Sequence, residues 1–248
     1  DVAPLKGLAF LVRLNLSDNA ISSLKSWEVE EEEPPFPHLV SLDLSGNALP
    51  ALQPLPMKAL KTVRLARNEI GTCQDFTGHK TVEVLDLSDQ RTAKITSLAG
   101  VSAMPALTKL DVSGNELEDI TGLVDLPALK ELNLARNKFK ELTGPWQELA
   151  ELTSLNLAGC LLEATKPLES LRALPLLRSL EVKDNPFCET LEDKVRTEVI
   201  ICHWRLSSID GEPVTEEELE AAKQVNVERE EERLRQKAEE EAAAAAAE

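Results

Sequence analysis

The side chains able to carry acid–base or nucleophilic chemistry are few: His38, His79 and His203, with Cys73, Cys160, Cys188 and Cys202. A histidine near neutral pH can move protons, and a thiol attacks carbon or binds metal once it is ionised. Neither use is set up by the spacing. Each histidine falls in an expected loop or cap, and Cys202 and His203 are sequential neighbours, which is not the geometry of a nucleophile with its base. There is no CxxC pair, no GxxxxGK[ST] phosphate loop and no spacing suited to metal ligands. Catalysis, cofactor, metal and small-molecule ligand are therefore all expected to be absent. What remains is chemistry of charge. Asp43, Asp86, Asp111 and Glu181, with a single Arg64, recur at one position of a repeating frame.

That frame positions them. The stretch Leu129 to Asn137, LKELNLARN, has leucines at offsets 0, 3 and 5, asparagine at offset 8 and an apolar residue at offset 10. It recurs from Leu11, Leu39, Leu60, Val82, Leu107, Leu129, Leu152 and Leu177, at spacings of 28, 21, 22, 25, 22, 23 and 25 residues. Offsets 3 and 5 alternate with polar neighbours, the period-two mark of a short strand with one buried face. The pattern is that of leucine-rich repeats. It predicts an α/β fold: a right-handed leucine-rich-repeat solenoid with a parallel concave sheet, a C-terminal helical cap and a long extending α-helix. Two units are expected, residues 1–214 for the solenoid with its cap and 215–248 for an acidic helix.

Offset 8 carries Asn19, Asn47, Asn68, Gln90, Asn115, Asn137, Cys160 and Asn185. An amide there is expected to turn inward and satisfy backbone groups where the chain leaves the strand. Offset 4 carries Asn15, Asp43, Arg64, Asp86, Asp111, Asn133, Asn156 and Glu181, which should line the concave face as an acidic stripe attractive to basic protein. The fourth repeat departs from the frame, with Gln90 for asparagine and a longer turn over Arg91 to Ile95, and the sequence does not say whether this bends the array or marks a contact.

With 44 acidic against 27 basic residues, the formal net charge is −17. That argues against nucleic acid and against an anionic membrane surface. No apolar run approaches the roughly 20 residues needed to cross a bilayer. No secretory leader is visible, and the scattered cysteines are read as reduced thiols of a cytoplasmic protein. Asn15-Leu16-Ser17 matches a glycosylation acceptor, but on an expected strand. Val2, Leu5 and Leu8 lead into Leu11 as if from an earlier repeat, so more protein or a partner is expected there.

Between the first two repeats, Trp27 and Phe36 flank the glutamates 30–33 and three prolines. This segment is expected to be a loop, with the two aromatics as possible anchors for a basic partner. After Asn185-Pro186-Phe187, a cap helix is predicted over Leu191 to Trp204, with Val195, Val199, Ile200 and Trp204 on its buried face. Leu206, Ile209 and Asp210 then imitate a truncated strand. Thr215 with Glu218 forms a capping box that starts the final helix. Its sparse apolar residues, Leu219, Val225, Val227 and Leu234, keep no heptad, so it is either a solvated projection or a strut lying on neighbours, with Leu219 and Leu234 as candidate contacts.

The spacing near 22, with NPFCETLEDKVRTEVI and LSSIDGEPVTEEELEAA, resembles the 22-residue-repeat subfamily of leucine-rich-repeat proteins. The cap running into a long acidic helix is most similar to its ciliary axonemal members of the radial spoke stalk. That resemblance implies a non-catalytic scaffold in the cilium or flagellum axoneme, its partners being radial spoke or dynein-regulatory subunits. The same subfamily implies an alternative, a regulatory subunit holding an enzyme such as protein phosphatase 1 in its concave face.

Overall fold

A computed structural model describes residues 5, 7–27 and 35–245, with side chains through 240. The glutamate run 30–33, Val2 and the terminal alanine side chains lie outside the described residues.

Eight short strands follow in order: β1 Arg13–Asn15, β2 Ser41–Asp43, β3 Thr62–Arg64, β4 Val84–Asp86, β5 Lys109–Asp111, β6 Glu131–Asn133, β7 Ser154–Asn156 and β8 Ser179–Glu181. Each pairs in parallel with the next, and β9 Ser208–Ile209 continues the sheet. β10 Glu212–Pro213 closes it as an antiparallel hairpin, which the repeat frame did not foretell. The strands are short because only offset 3 between two outward residues needs extended backbone. Leu42, Val63, Leu85, Leu110, Leu132, Leu155 and Leu180 stack in register along the buried side. The core is thus one long aliphatic column, and each turn contributes to it without enclosing it.

The amide ladder binds these turns together. Asn68 Nδ2 donates to the Leu65 carbonyl of its own turn at 2.9 Å and to Leu44 of the preceding one at 2.9 Å, while its Oδ1 accepts from the Leu49 N–H at 3.1 Å. Asn47, Asn115, Asn137 and Asn185 repeat this arrangement, all buried. Gln90 does the same with one methylene more. The residues after it form an outward bulge whose Thr92 and Ala93 N–H groups donate to Glu69, and Ile95 then resumes the ladder by donating to Asn115 Oδ1. Asn19 is the exception. It is exposed and donates only within its own turn, to Leu16 and Ser17. Cys160 offers only weak thiol contacts in place of the amide, among them Sγ to the Leu134 carbonyl at 3.5 Å.

The residue before each ladder position lies in the left-handed region. Asp18, Gly46, Arg67, Asp89, Gly114, Arg136, Gly159 and Asp184 all have φ between 51° and 70°. This backbone reversal is what turns the following amide inward. Where glycine stands, a neighbouring side chain occupies the space: a Cβ at Gly114 would lie 2.0 Å from Asp89 Oδ1, because Asp89 crosses over it to meet Arg136 at 2.9 and 3.1 Å.

The cap differs from the single helix expected over Leu191 to Trp204. α1 Pro186–Leu191 and α2 Val195–Cys202 are separated by a 3₁₀ turn, with Glu192 at φ 49° between them. α1 begins early because Pro186 sits at its first turn, where no backbone donor is needed. Trp204 falls beyond α2 and is half exposed, so it does not belong to the buried face. The last helix, α3 Glu216–Ala245, starts at the expected capping box: Glu218 N–H donates to Thr215 Oγ1 at 3.2 Å, and Thr215 N–H to Glu218 Oε2 at 2.8 Å.

Replacing Asn115 by alanine is expected to lower stability by about 1–3 kcal/mol, since it strands the buried Ile95 N–H and leaves the Leu87 and Val112 carbonyls with one amide donor each, from Gln90 and Asn137. Gly114→Ala should lower it by roughly 1 kcal/mol through its left-handed backbone. Urea unfolding midpoints of the two variants check both values.

Candidate functional site

The outer face of the sheet gathers the offset-4 residues into one line. Asn15, Asp43, Arg64, Asp86, Asp111, Asn133, Asn156 and Glu181 are direct cross-strand partners, each one strand spacing, about 4.8 Å, from the next. The structure thus brings together every charged residue of the expected stripe. Their side chains are held in place: Asp86 and Asp111 each accept from the N–H and hydroxyl of the serine two residues on, at 2.6 to 3.0 Å. Asp43 accepts from Ser45 N–H at 3.0 Å. Asn133 donates to Asp111 Oδ2 and Asn156 to Glu181 Oε2, both at 2.9 Å. Arg64 stands exposed between Asp43 and Asp86. Beside this line, Lys61–Glu83 and Lys109–Glu131 pair across neighbouring strands at 2.6 and 2.7 Å. Asp86 and Asp111 are adjacent in this line, with Asp43 beyond Arg64 and Glu181 beyond two asparagines, and carboxylates so fixed raise a local negative potential and present acceptor oxygens to solvent. A basic surface is what such a line can bind.

Trp27 and Phe36 are not available as anchors. Both are fully buried and pack edge to face, ring centroids 5.3 Å apart. The reason lies in the turn before each strand: Phe36 occupies the lane filled elsewhere by Met57, Met104, Leu126, Leu149 and Leu174, and all of them are buried. An aromatic beside an acidic loop looks like a surface feature in a sequence. Here it fills the core.

Leu219 is also drawn inward. It is half buried against the cap, next to fully buried Ala222. Two ion pairs fasten this part of α3: Arg196 to Glu218, with Nη2 to Oε2 at 3.0 Å, and Arg229 to the buried carboxylate of Glu198, with Nη1 to Oε2 at 2.8 Å. The division expected at 214/215 therefore falls inside a continuous packing unit. Beyond Arg229 the described side chains, Leu234 among them, are exposed. The helix is a docked strut first and a projection afterwards.

The reactive residue types have structural surroundings. Burial pushes the Cys73 thiol up to about 12 and Cys202 to about 11, and raises Cys160 and Cys188. They are poor nucleophiles at neutral pH. His38 stacks on Phe10. His79 accepts from Thr81 N–H at 3.3 Å, and desolvation lowers its pKa. His203 sits in the same core lane as Phe36 and meets the Leu174 carbonyl through Nε2 at 3.2 Å. Among the described residues, no group of three or more His, Cys, Asp or Glu could hold a metal ion. No helix among them is long and apolar enough to cross a membrane.

One feature escaped the reading of the sequence. Trp204 and Leu176, both 38 % exposed, lie at the corner where the cap meets the last repeat, beside Arg178 and Arg205. The available signal was alignment: Trp204-Arg205-Leu206 falls in the frame of Pro175-Leu176-Leu177, on the exposed turn before a strand.

Residues 105–162 match the leucine rich repeat family model. An uncharacterized leucine-rich repeat-containing protein of Schizosaccharomyces pombe is 40% identical over 85 residues, which are 33% of this chain and 13% of that protein. The matched chain thus spans only a small part of that relative's length. Among solved structures, internalin C2 of Listeria monocytogenes is 26% identical, covering 74% of this chain and 75% of its own, with TM-score 0.56. The TLR13–ssRNA13 complex is 26% identical over 83% of this chain and 29% of that one, with TM-score 0.64. The fold is a parallel-sheet solenoid with a C-terminal helix, as in leucine-rich-repeat structures, and the repeat itself is matched over residues 105–162.

Two pH effects on the cap follow. Desolvation, with the nearby Arg205 and Arg178 adding to it, lowers His203 below its ordinary 6.5, so the unfolded chain takes up the proton first. Stability should fall as pH drops below about 6.5, and His203→Gln should flatten that slope in thermal melts. Glu218 is held down to about 2, mainly by its hydrogen bond from Arg196. Its contribution is complete above about 4.5 and is lost as pH falls toward 2, which circular dichroism of α3 would follow.

Proposed function

We propose that this protein is a non-catalytic scaffold that binds a basic protein surface along its acidic strand column, as a structural subunit of the ciliary axoneme. The observation that carries the binding mode is the in-register line of Asp43, Asp86, Asp111 and Glu181, held by hydrogen bonds on the outer face of the sheet. Preset side chains lose little entropy on binding, and complementary charge accelerates encounter and fixes register. The column carries no aromatic side chain, so affinity is expected to come from charge and to weaken with salt. A single-stranded RNA, as in the TLR13 complex, is disfavoured because its phosphates would face these carboxylates.

The cytoplasmic, axonemal setting is supported by the resemblance of the cap and the acidic helix to radial spoke stalk proteins. In this reading the cap and the docked half of α3 form a rigid end, and the exposed half reaches spoke or dynein-regulatory neighbours. Leu234, with Val227 seven residues before it, is the apolar contact available to them.

Reversing Asp43, Asp86 and Asp111 to lysine should weaken capture of the basic partner by a hundredfold or more, on the order of 1 kcal/mol per charge, with circular dichroism at the assay temperature still that of the folded chain. Unchanged capture in a salt titration would overturn the column as the binding face. Removing residues 234–248, beyond Arg229, should spare the cap yet release the protein from isolated axonemes on salt extraction. Retention, or crosslinks to a phosphatase in place of spoke subunits, would refute the axonemal assignment.

A further inference from the structure

The corner of the cap is opposite in sign to the sheet column. Arg178 and Arg205 donate to the same acceptor: their Nη1 atoms lie 3.3 and 3.2 Å from the Pro175 carbonyl oxygen, and Arg178 Nη1 also reaches Leu177 O at 2.7 Å. Two guanidinium groups are thereby held side by side on solvent-exposed residues. Arg67, Arg136, Arg172, Arg196, Arg229 and Arg233 each meet a carboxylate, but no ion pair is made by Arg178 or Arg205 among the described residues. Arg13, Arg64, Arg91 and Arg235 likewise form no ion pair among the described residues, but what sets Arg178 and Arg205 apart is that two such guanidinium groups share one acceptor and so stand together in a chain of net charge −17.

Their surroundings are not those of a solvated face. Trp204 and Leu176 flank them, each more than a third exposed, whereas Trp27 and Trp146 are buried. Behind them stands His203, fully buried, whose Nδ1 has no hydrogen-bond partner. A neutral imidazole there supplies no negative charge to the arginines. Tryptophan and arginine are the residues that most often dominate binding energy, and a guanidinium fixed by one N–H still offers the rest of its fork to a carboxylate.

We propose that this corner, formed by Leu176, Arg178, Trp204 and Arg205, is a second docking surface, which receives an acidic protein segment. Its carboxylates meet the paired guanidinium forks, and an apolar side chain between them seats on Trp204 and Leu176. Charge complementarity selects the occupant: the site repels the basic surface that suits the strand column. The protein then bridges two partners of opposite charge, one along its sheet and one at its capped end. This assignment does not rest on the column, and either surface can fail without the other.

Trp204 supplies the measurement, since acrylamide reaches it before the two buried tryptophans. The full chain is titrated with the peptide Glu-Glu-Leu-Glu-Glu, blocked at both ends, while quenching is followed. The expected result is saturable protection of Trp204 that weakens with salt. Arg178→Ala with Arg205→Ala should weaken it by about tenfold or more, and Arg178→Lys with Arg205→Lys should restore part of it. Should the alanine pair perturb folding, Trp204→Phe read by isotope-edited NMR of the peptide leucine replaces it. Reversal of Asp43, Asp86 and Asp111 should leave this binding intact. Absence of protection at millimolar peptide, equal protection by Lys-Lys-Leu-Lys-Lys, or stronger protection by a single-stranded oligonucleotide would overturn the proposal.

Discussion

The solenoid depends on one recurring exchange: a buried side-chain amide completes the hydrogen bonds of two successive turns. Wherever the chain leaves a strand it exposes carbonyls and an N–H to an aliphatic interior, and unpaired polar groups there are costly. Asn47, Asn68, Asn115, Asn137 and Asn185 meet this demand with both ends of the amide, linking their own turn to the preceding one. Gln90 shows that the requirement is for the amide and tolerates an extra methylene. The left-handed residue before each of them is part of the same device, because without that reversal the amide would face solvent.

A core built this way is a column that fills the space between the turns. Depressions occur among the turns, such as one of about 750 Å³ lined by Lys140, Glu141, Glu163 and Lys166, but their charges are mixed and no nucleophile stands beside a base. The thiols are raised by burial, and the buried histidine is taken up by a core lane. What the framework displays most regularly is its surfaces. The sheet supplies a straight line of acidic and amide side chains interrupted by Arg64, and the cap, where the repeat pattern breaks, supplies a compact cluster of guanidinium and indole.

The cap also shows how charge is used inside this acidic protein. Glu198 is buried and Arg229 comes from α3 to meet it, while Arg196 spans to Glu218, which is at the same time a member of the capping box. One carboxylate thus starts the helix and pins it to its neighbour. A helix with so few apolar residues could not be held by burial alone, and its exposed half begins where these pairs end.

What the sequence by itself determined was everything set by a local period: the strands, the inward amides, the line of outward carboxylates and the capping box. These follow from alternation and from backbone groups that must be satisfied within a turn or its neighbour, so spacing alone encodes them. Tertiary structure decided the orientation of residues outside the period. Trp27 and Phe36 look like loop aromatics yet complete a core lane, Leu219 is held against the cap by the ion pairs of its own helix, and Trp204 leaves the cap helix for solvent. Arg178 and Arg205 are 27 residues apart in the chain and meet only because both reach the carbonyl of Pro175. The repeat frame sets Trp204-Arg205-Leu206 beside Pro175-Leu176-Leu177, but that both guanidinium groups turn to one carbonyl depends on how the cap seats on the last turn.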